Sequence, residues 1–257
     1  MTKEEVWRWN VDDVWQTFSS TYQEKEFALA ASNTVSRYHH LSAALLFGGC
    51  LVESFLNKEL RAKLETEGVE EKNIFRRLRQ TSLHEKMEKW PTELYQITLP
   101  INDIEVIGQF LDLQNEVKHR KRRDHSLYSK LDEADPSIFV QAVQRILVVV
   151  YEGANKCFPY WLLGWNYVGM NGDETYPYLI NNQQFRYSLN AMGFMVPAAD
   201  YYAANAWEKK SMRGLEAFKR LHEHIYDKAP DIEPKNPVFN QAPRLCKRWW
   251  DEALIRG

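Results

Sequence analysis

The sequence predicts an all-α fold, on three observations. Apolar residues recur at three- and four-residue steps in one segment after another. Helix-opening signatures stand where several of those segments begin. No hairpin signal and no repeat of the solenoid kind interrupts them.

The first helical stretch covers residues 22–65, where Phe27, Ala31, Val35, Tyr38, Leu41, Leu45, Val52 and Phe55 succeed one another at mostly helical spacing. A single helix of that length would extend about 66 Å at 1.5 Å per residue, so a break is expected. Gly48 and Gly49 are the expected place, because they lack Cβ and let another helix approach closely. A second helix is expected near Lys72. A third begins after Ser82, whose hydroxyl with Glu85 three residues on forms a capping box. Pro91 and Pro100 then mark a loop region, and the next helix starts at about Asn102 or Asp103, with Glu105 suited to the positive helix end. Asp135-Pro136 reads as an N-cap with a first-turn proline, opening a helix through Val143, Ile146, Leu147 and Val150.

After Cys157 the pattern changes. The string FPYWLLGWNYVGMNGDETYPY is aromatic, glycine-bearing and flanked by proline, like a structured loop. Helical spacing resumes near Gln183 and over residues 197–228, a proline-rich connector occupies 230–243, and a last helix spans 244–255. The chain is therefore expected to divide into residues 1–157, a helical bundle with an N-terminal extension, and residues 158–257, an aromatic-rich helical region packed on it.

Composition narrows the class. Hydrophobic residues make up 44% and charged residues 26%, and 33 Lys and Arg against 35 Asp and Glu leave a net charge of −2. A uniformly basic nucleic-acid binder is excluded, whereas a local basic patch is not. The start, MTKEEVWRWNVDDVW, has acidic residues and tryptophans where a secretory signal needs an apolar run. The longest apolar candidate, residues 41–56, is interrupted by Gly48, Gly49 and Glu53, so no membrane span is expected. Cys50, Cys157 and Cys246 are widely spaced, odd in number and without CxxC, which predicts reduced thiols, a cytoplasmic location and no zinc site. His39-His40 and His222-x-His224 do not place two imidazoles on one helix face, and no HExxH, Walker, GxGxxG or GxSxG string occurs, so neither metal nor cofactor is expected. Nine Trp, 13 Tyr and 12 Phe point first to packing or subunit contact and second to ligand stacking.

The residues that bear on function lie in DIEVIGQFLDLQNEVKH. Ile104, Ile107 and Leu111 share one face; Gln114 and Asn115 come three and four residues later, and His119 four after Asn115. Positions four apart differ by about 40° around a helix axis, so Asn115 and His119 are expected to project together, continuing the buried face as the mouth of a cleft. Residues 118–123, KHRKRR, bring five fixed positive charges: Lys118, Arg120, Lys121, Arg122 and Arg123. These residues are expected either to solvate a helix end or to meet phosphate, with Arg76, Arg77 and Arg79 extending the patch. Arg120 with His125, and Arg79 with His84, also fit R-x4-H; the first pair ranks as a second choice and the second no better than chance. Glu53 and Asn57 share a helix face, as a hydrogen-bonded pair or as groove-lining groups.

The string QNEVKHRK resembles the RNxxxH motif of HEPN domains (higher eukaryotes and prokaryotes nucleotide-binding), with Gln114 where that family usually has arginine. ALLFGGCLVESFLNKEL resembles the first long helix of such domains, and SLHEKMEKWP the approach to the motif; the resemblance covers about residues 25–155. It implies a HEPN-like helical bundle that forms a homodimer, bringing two motifs across a groove, and metal-independent RNA cleavage of the kind found in toxin and antiviral systems. It also implies His119 as acid/base, Asn115 orienting phosphate or imidazole, and Gln114 as an uncharged hydrogen-bond donor. Two other readings stand beside the endoribonuclease. One is an inactive HEPN-like scaffold for dimerisation or for binding a protein or nucleotide partner. The other is a helical interaction protein whose motif match is accidental. The aromatic region after residue 157 is expected to contact a protein partner, to regulate the bundle or to extend the dimer.

Overall fold

The computed structural model describes residues 13–119, 126–163 and 212–228. Among them, helices account for 84% of positions and no strand occurs, so the all-α expectation holds. Eight α-helices are present in this order: α1 Asp13–Ala30, α2 Thr34–Thr66, α3 Glu71–Gln80, α4 Leu83–Tyr95, α5 Ile101–His119, α6 Ser126–Glu133, α7 Pro136–Gly153 and α8 Gly214–Lys228; a 3-10 turn, Tyr160–Leu163, lies between the last two.

The break in the first long stretch does not fall at the glycines. It falls at residues 31–33, where Asn33 is extended and its side chain accepts from the Ser36 amide at 2.9 Å, capping α2. From there α2 runs unbroken for 33 residues. Gly48 and Gly49 sit inside it as contact points: a Cβ on Gly48 would strike the Phe139 ring of α7, and one on Gly49 would lie 2.7 Å from Leu111 Cδ2 of α5. The expected close approach is therefore real, and packing around the glycines sustains the helix where their propensity alone would weaken it.

The three-residue turn folds α1 back along α2 as an antiparallel pair. Val14, Phe18, Tyr22 and Ala28 supply its buried stripe, and Glu24 meets His40 Nδ1 at 2.7 Å. α3, α4, α5 and α7 complete the sleeve around α2. Leu41, Leu45, Leu51, Val52, Phe55, Leu56 and Leu60 consequently lie at the centre of the core. α2 is the one helix among the described residues long and apolar enough to cross a membrane, although its glycines and Glu53 read in the sequence as interruptions. Half of its most apolar window is buried against other helices, the position of a core helix.

Caps agree with the sequence where it is explicit. Ser82 accepts from the Glu85 amide at 3.3 Å to open α4, one half of the expected capping box, while the Glu85 carboxylate takes Lys89 Nζ at 2.6 Å in place of the Ser82 amide. Asp135 accepts from the Ser137 amide at 2.8 Å to open α7, with Pro136 in its first turn. Pro91 departs from expectation: it lies within α4, which ends instead at Gln96 in the left-handed region, φ 57°. The missing proline amide leaves the Met87 carbonyl without its helical partner, a loss the packed Trp90 and Leu94 offset.

Residues after 157 share the same core. The Phe158 amide donates to the Met212 carbonyl at 3.0 Å, Gln144 Nε2 to the Leu162 carbonyl at 2.7 Å, and the Phe158 and Phe218 rings meet edge-on at 5.5 Å. Gly214 opens α8 with φ +80° beside the Glu152 carboxylate of α7, a conformation and a proximity that both call for glycine. The part of the predicted helix over 197–228 that precedes residue 212, the helix near Gln183, the connector over 230–243 and the helix over 244–255 lie outside the described residues.

Candidate functional site

The polar end of α5 is positioned from its other end. Asp103, buried in the first turn, receives a forked pair of bonds from Arg145 of α7, Nε at 3.1 Å to both oxygens and Nη2 at 2.6 Å to one. A bidentate pair of this kind fixes rotation as well as position. Ile104 and Ile107 then enter the core, and Leu111 rests on Gly49.

Gln114 continues this buried face. It is 7% exposed, and its Nε2 donates to the Leu45 carbonyl of α2 at 3.1 Å. A Cβ on Gly49 would stand 3.5 Å from that same nitrogen, an ordinary contact, so it is Leu111 at 2.7 Å, and not Gln114, that calls for glycine there. Asn115, about 100° further round the helix, is exposed. The expectation from spacing is corrected on this point: the face buried upstream runs through Gln114, whereas Asn115 lies on an exposed flank. α5 remains helical to His119, so position 119 falls one turn beyond Asn115 and about 40° further from the core face. The side chains of Lys118 and His119, and the whole of Arg120, Lys121, Arg122, Arg123 and His125, lie outside the described residues.

The helix beyond the basic run, α6, is held at several points. Its Lys130 meets Glu116 of α5 at 2.9 Å. Arg37 of α2 donates to the Leu131 and Ala134 carbonyls at 2.5 and 2.7 Å, satisfying orphan acceptors at the end of α6 and opposing its negative dipole. Tyr38 donates to Asp132 at 2.6 Å, a bond that also raises the phenol's pKa. Residues 120–125 are thereby bracketed by two anchored helices.

Glu53 and Asn57 are not brought to Gln114. They sit one and two turns beyond Gly49 along α2, and Glu53 faces α4, where it accepts from Lys86 Nζ at 2.5 Å. Lys86 is fully buried, with its ammonium 5.2 Å from the Trp90 ring centroid. Asn57 Oδ1 is buried without a hydrogen-bond partner, so the expected Glu53–Asn57 pair is replaced by Glu53–Lys86. Further along, Glu59 receives the Tyr95 hydroxyl and Lys156 Nζ, the latter at 3.0 Å; burial first and then this bond push the Tyr95 pKa up. Arg79 and His84 are both exposed, His84 beside Glu88 at 3.3 Å, while Arg77 pairs with Glu93. Among the described residues no three His, Cys, Asp or Glu side chains gather as metal ligands would.

Comparison of the chain with protein-family models, with curated proteins and with solved structures gave no match. Lys86 is the residue that sequence reasoning overlooked. Its signal was present, since Leu83, Lys86, Trp90 and Leu94 are spaced at helical steps and put the lysine on the apolar stripe of α4.

Proposed function

We propose that this chain is a HEPN-like, RNA-directed protein of the cytoplasm, a metal-independent endoribonuclease of the toxin or antiviral kind that works as a homodimer. The observation that carries the reading is the end of α5: Asn115 is exposed, the helix continues to His119, and five cations flank that histidine within residues 118–123. His119 accepts the proton of a ribose 2′-hydroxyl as its oxygen bonds to the adjacent phosphorus, and the bond from phosphorus to the 5′-oxygen breaks as that oxygen takes a proton from a water molecule. Gln114 does not meet the developing charge, being engaged with the Leu45 carbonyl. That task passes to the cations at residues 118–123, with Asn115 orienting the phosphate.

The test is cleavage of labelled RNA by the purified protein in EDTA, compared with His119→Ala. Loss of cleavage in the variant, with RNA binding kept, is expected; cleavage indifferent to the substitution would remove His119 from the mechanism. A second reading, a HEPN-like scaffold that binds without cutting, is favoured by the burial of Gln114 at the motif's arginine position. RNA binding at low salt with no cleavage by either protein would select it.

A further inference from the structure

α3 is a ten-residue helix with two opposed faces. Ile74 is buried and Leu78 half-buried, turning one face into the bundle. Opposite them, Lys72, Phe75, Arg76 and Arg79 fall within an arc of about 100° at 100° per residue. All four are exposed, Phe75 at 56%, and among the described residues none of the three cations has an ion-pair partner. The other cation of the helix, Arg77, lies off this arc and is paired with Glu93 of α4; the adjacent acid, Glu71, is held by Arg61. A large aromatic ring is thus left in water between uncompensated cations, on a chain whose overall charge is −2.

From this geometry we propose that the outer face of α3 is a second contact for single-stranded RNA, with Phe75 stacking on an unpaired base while Lys72, Arg76 and Arg79 engage the flanking phosphates. The inference rests on the RNA-directed reading of the chain but uses none of the residues of the α5 site. Cations track the phosphates of a strand, and a ring among them captures a base whatever its identity, because every base offers a π-face. An anionic membrane fits this face less well. A helix lying in an interface buries a broad apolar side, whereas the apolar residues Ile74 and Leu78 are directed into the bundle and Phe75 is the single large apolar residue of α3 left outside.

The experiment is fluorescence anisotropy of the full chain with a labelled single strand of about 12 nucleotides, 2′-O-methylated so that it cannot be cleaved, over a salt series. Phe75→Ala is expected to weaken binding about tenfold without changing the salt dependence, and Phe75→Tyr to retain it. The double variant Arg76→Gln, Arg79→Gln is expected to reduce the slope of log affinity against log salt by about 1.4. A perfect RNA duplex, whose bases are already stacked, is expected not to sense Phe75→Ala. Unchanged strand binding in both variants, while the wild type binds and a charge-reversed 118–123 variant does not, would overturn the α3 surface alone. No binding by the wild type at low salt would remove the RNA-directed reading and this surface with it. Loss of affinity for phosphatidylserine vesicles in Phe75→Ala, with strand binding intact, would reassign the face to a membrane.

Discussion

Gln114 shows how one substitution in a short motif alters what the position does. An arginine at a site that is 7% exposed and faces a helix carbonyl would bury a charge there; glutamine donates one neutral bond to the Leu45 carbonyl and fits. Gln114→Ala is expected to lower stability by about 2 kcal/mol, from the lost bond and the void beside Gly49, read as a shift in the urea midpoint at constant slope. Lys86 gives the complementary case. Glu53→Ala leaves a buried ammonium without its carboxylate and should destabilise by about 2 kcal/mol, moderated because the Glu53 side chain is half exposed. Lys86→Met keeps the volume and removes the charge, so it should fall within about 1 kcal/mol of wild type. Equal losses in the two variants would show that the ion pair itself, not the stranded charge, sets the energy.

At the level of the helix, glycines inside helices diverge according to what packs on them. Gly48→Ala drives a methyl into the Phe139 ring and is expected to cost about 2 kcal/mol, whereas Gly108→Ala, with nothing within 4 Å, should gain about 0.5–1 kcal/mol from helix propensity. Thermal unfolding of the two variants side by side decides the point. α8 carries a pH dependence. Burial lowers the His222 pKa from 6.5, Glu223 opposes this and Lys25 of α1 adds to it. The folded state therefore prefers the neutral ring, and its contribution is complete above about pH 6.5. Below that value the unfolded chain takes up the proton first, so stability falls as pH drops toward the folded value. His222→Gln is expected to flatten this part of the urea-midpoint profile between about pH 7.5 and about pH 5.5. An identical profile would assign the loss to other groups.

Over the whole molecule, the core extends past the change in composition at residue 157. Phe158, Leu162, Leu163, Met212, Ala217 and Phe218 are buried in the same cluster as the helices before them. A chain ending at Cys157 would uncover the part of α7 on which these residues rest. Its expected behaviour is a lower Tm and increased binding of a hydrophobic dye, both measurable against the full chain. An unchanged Tm would mean that the aromatic residues add no stability to the bundle.

The helices that became α3, α4, α5 and α7, the caps at Ser82 and Asp135, and the closeness of packing at Gly48 and Gly49 were legible in the residues, because these depend on spacing and on chemistry within a few positions. α6, Ser126–Glu133, was not foreseen, and the separation of α1 from α2 was expected at the wrong place. The amphipathic character of α5 was legible too. Which of its polar residues faced inward was not: Gln114 and Asn115 are adjacent amides, and the carbonyl of Leu45 on the packed neighbour met the first. The continuity of α2 through two glycines, the helical Pro91 and the partner of Glu53 were likewise decided by neighbours distant in sequence. Local order stems from the chain's own periodicity, whereas the destination of a polar side chain is set by the groups that the fold brings within hydrogen-bond reach, and those exist only once the helices have packed.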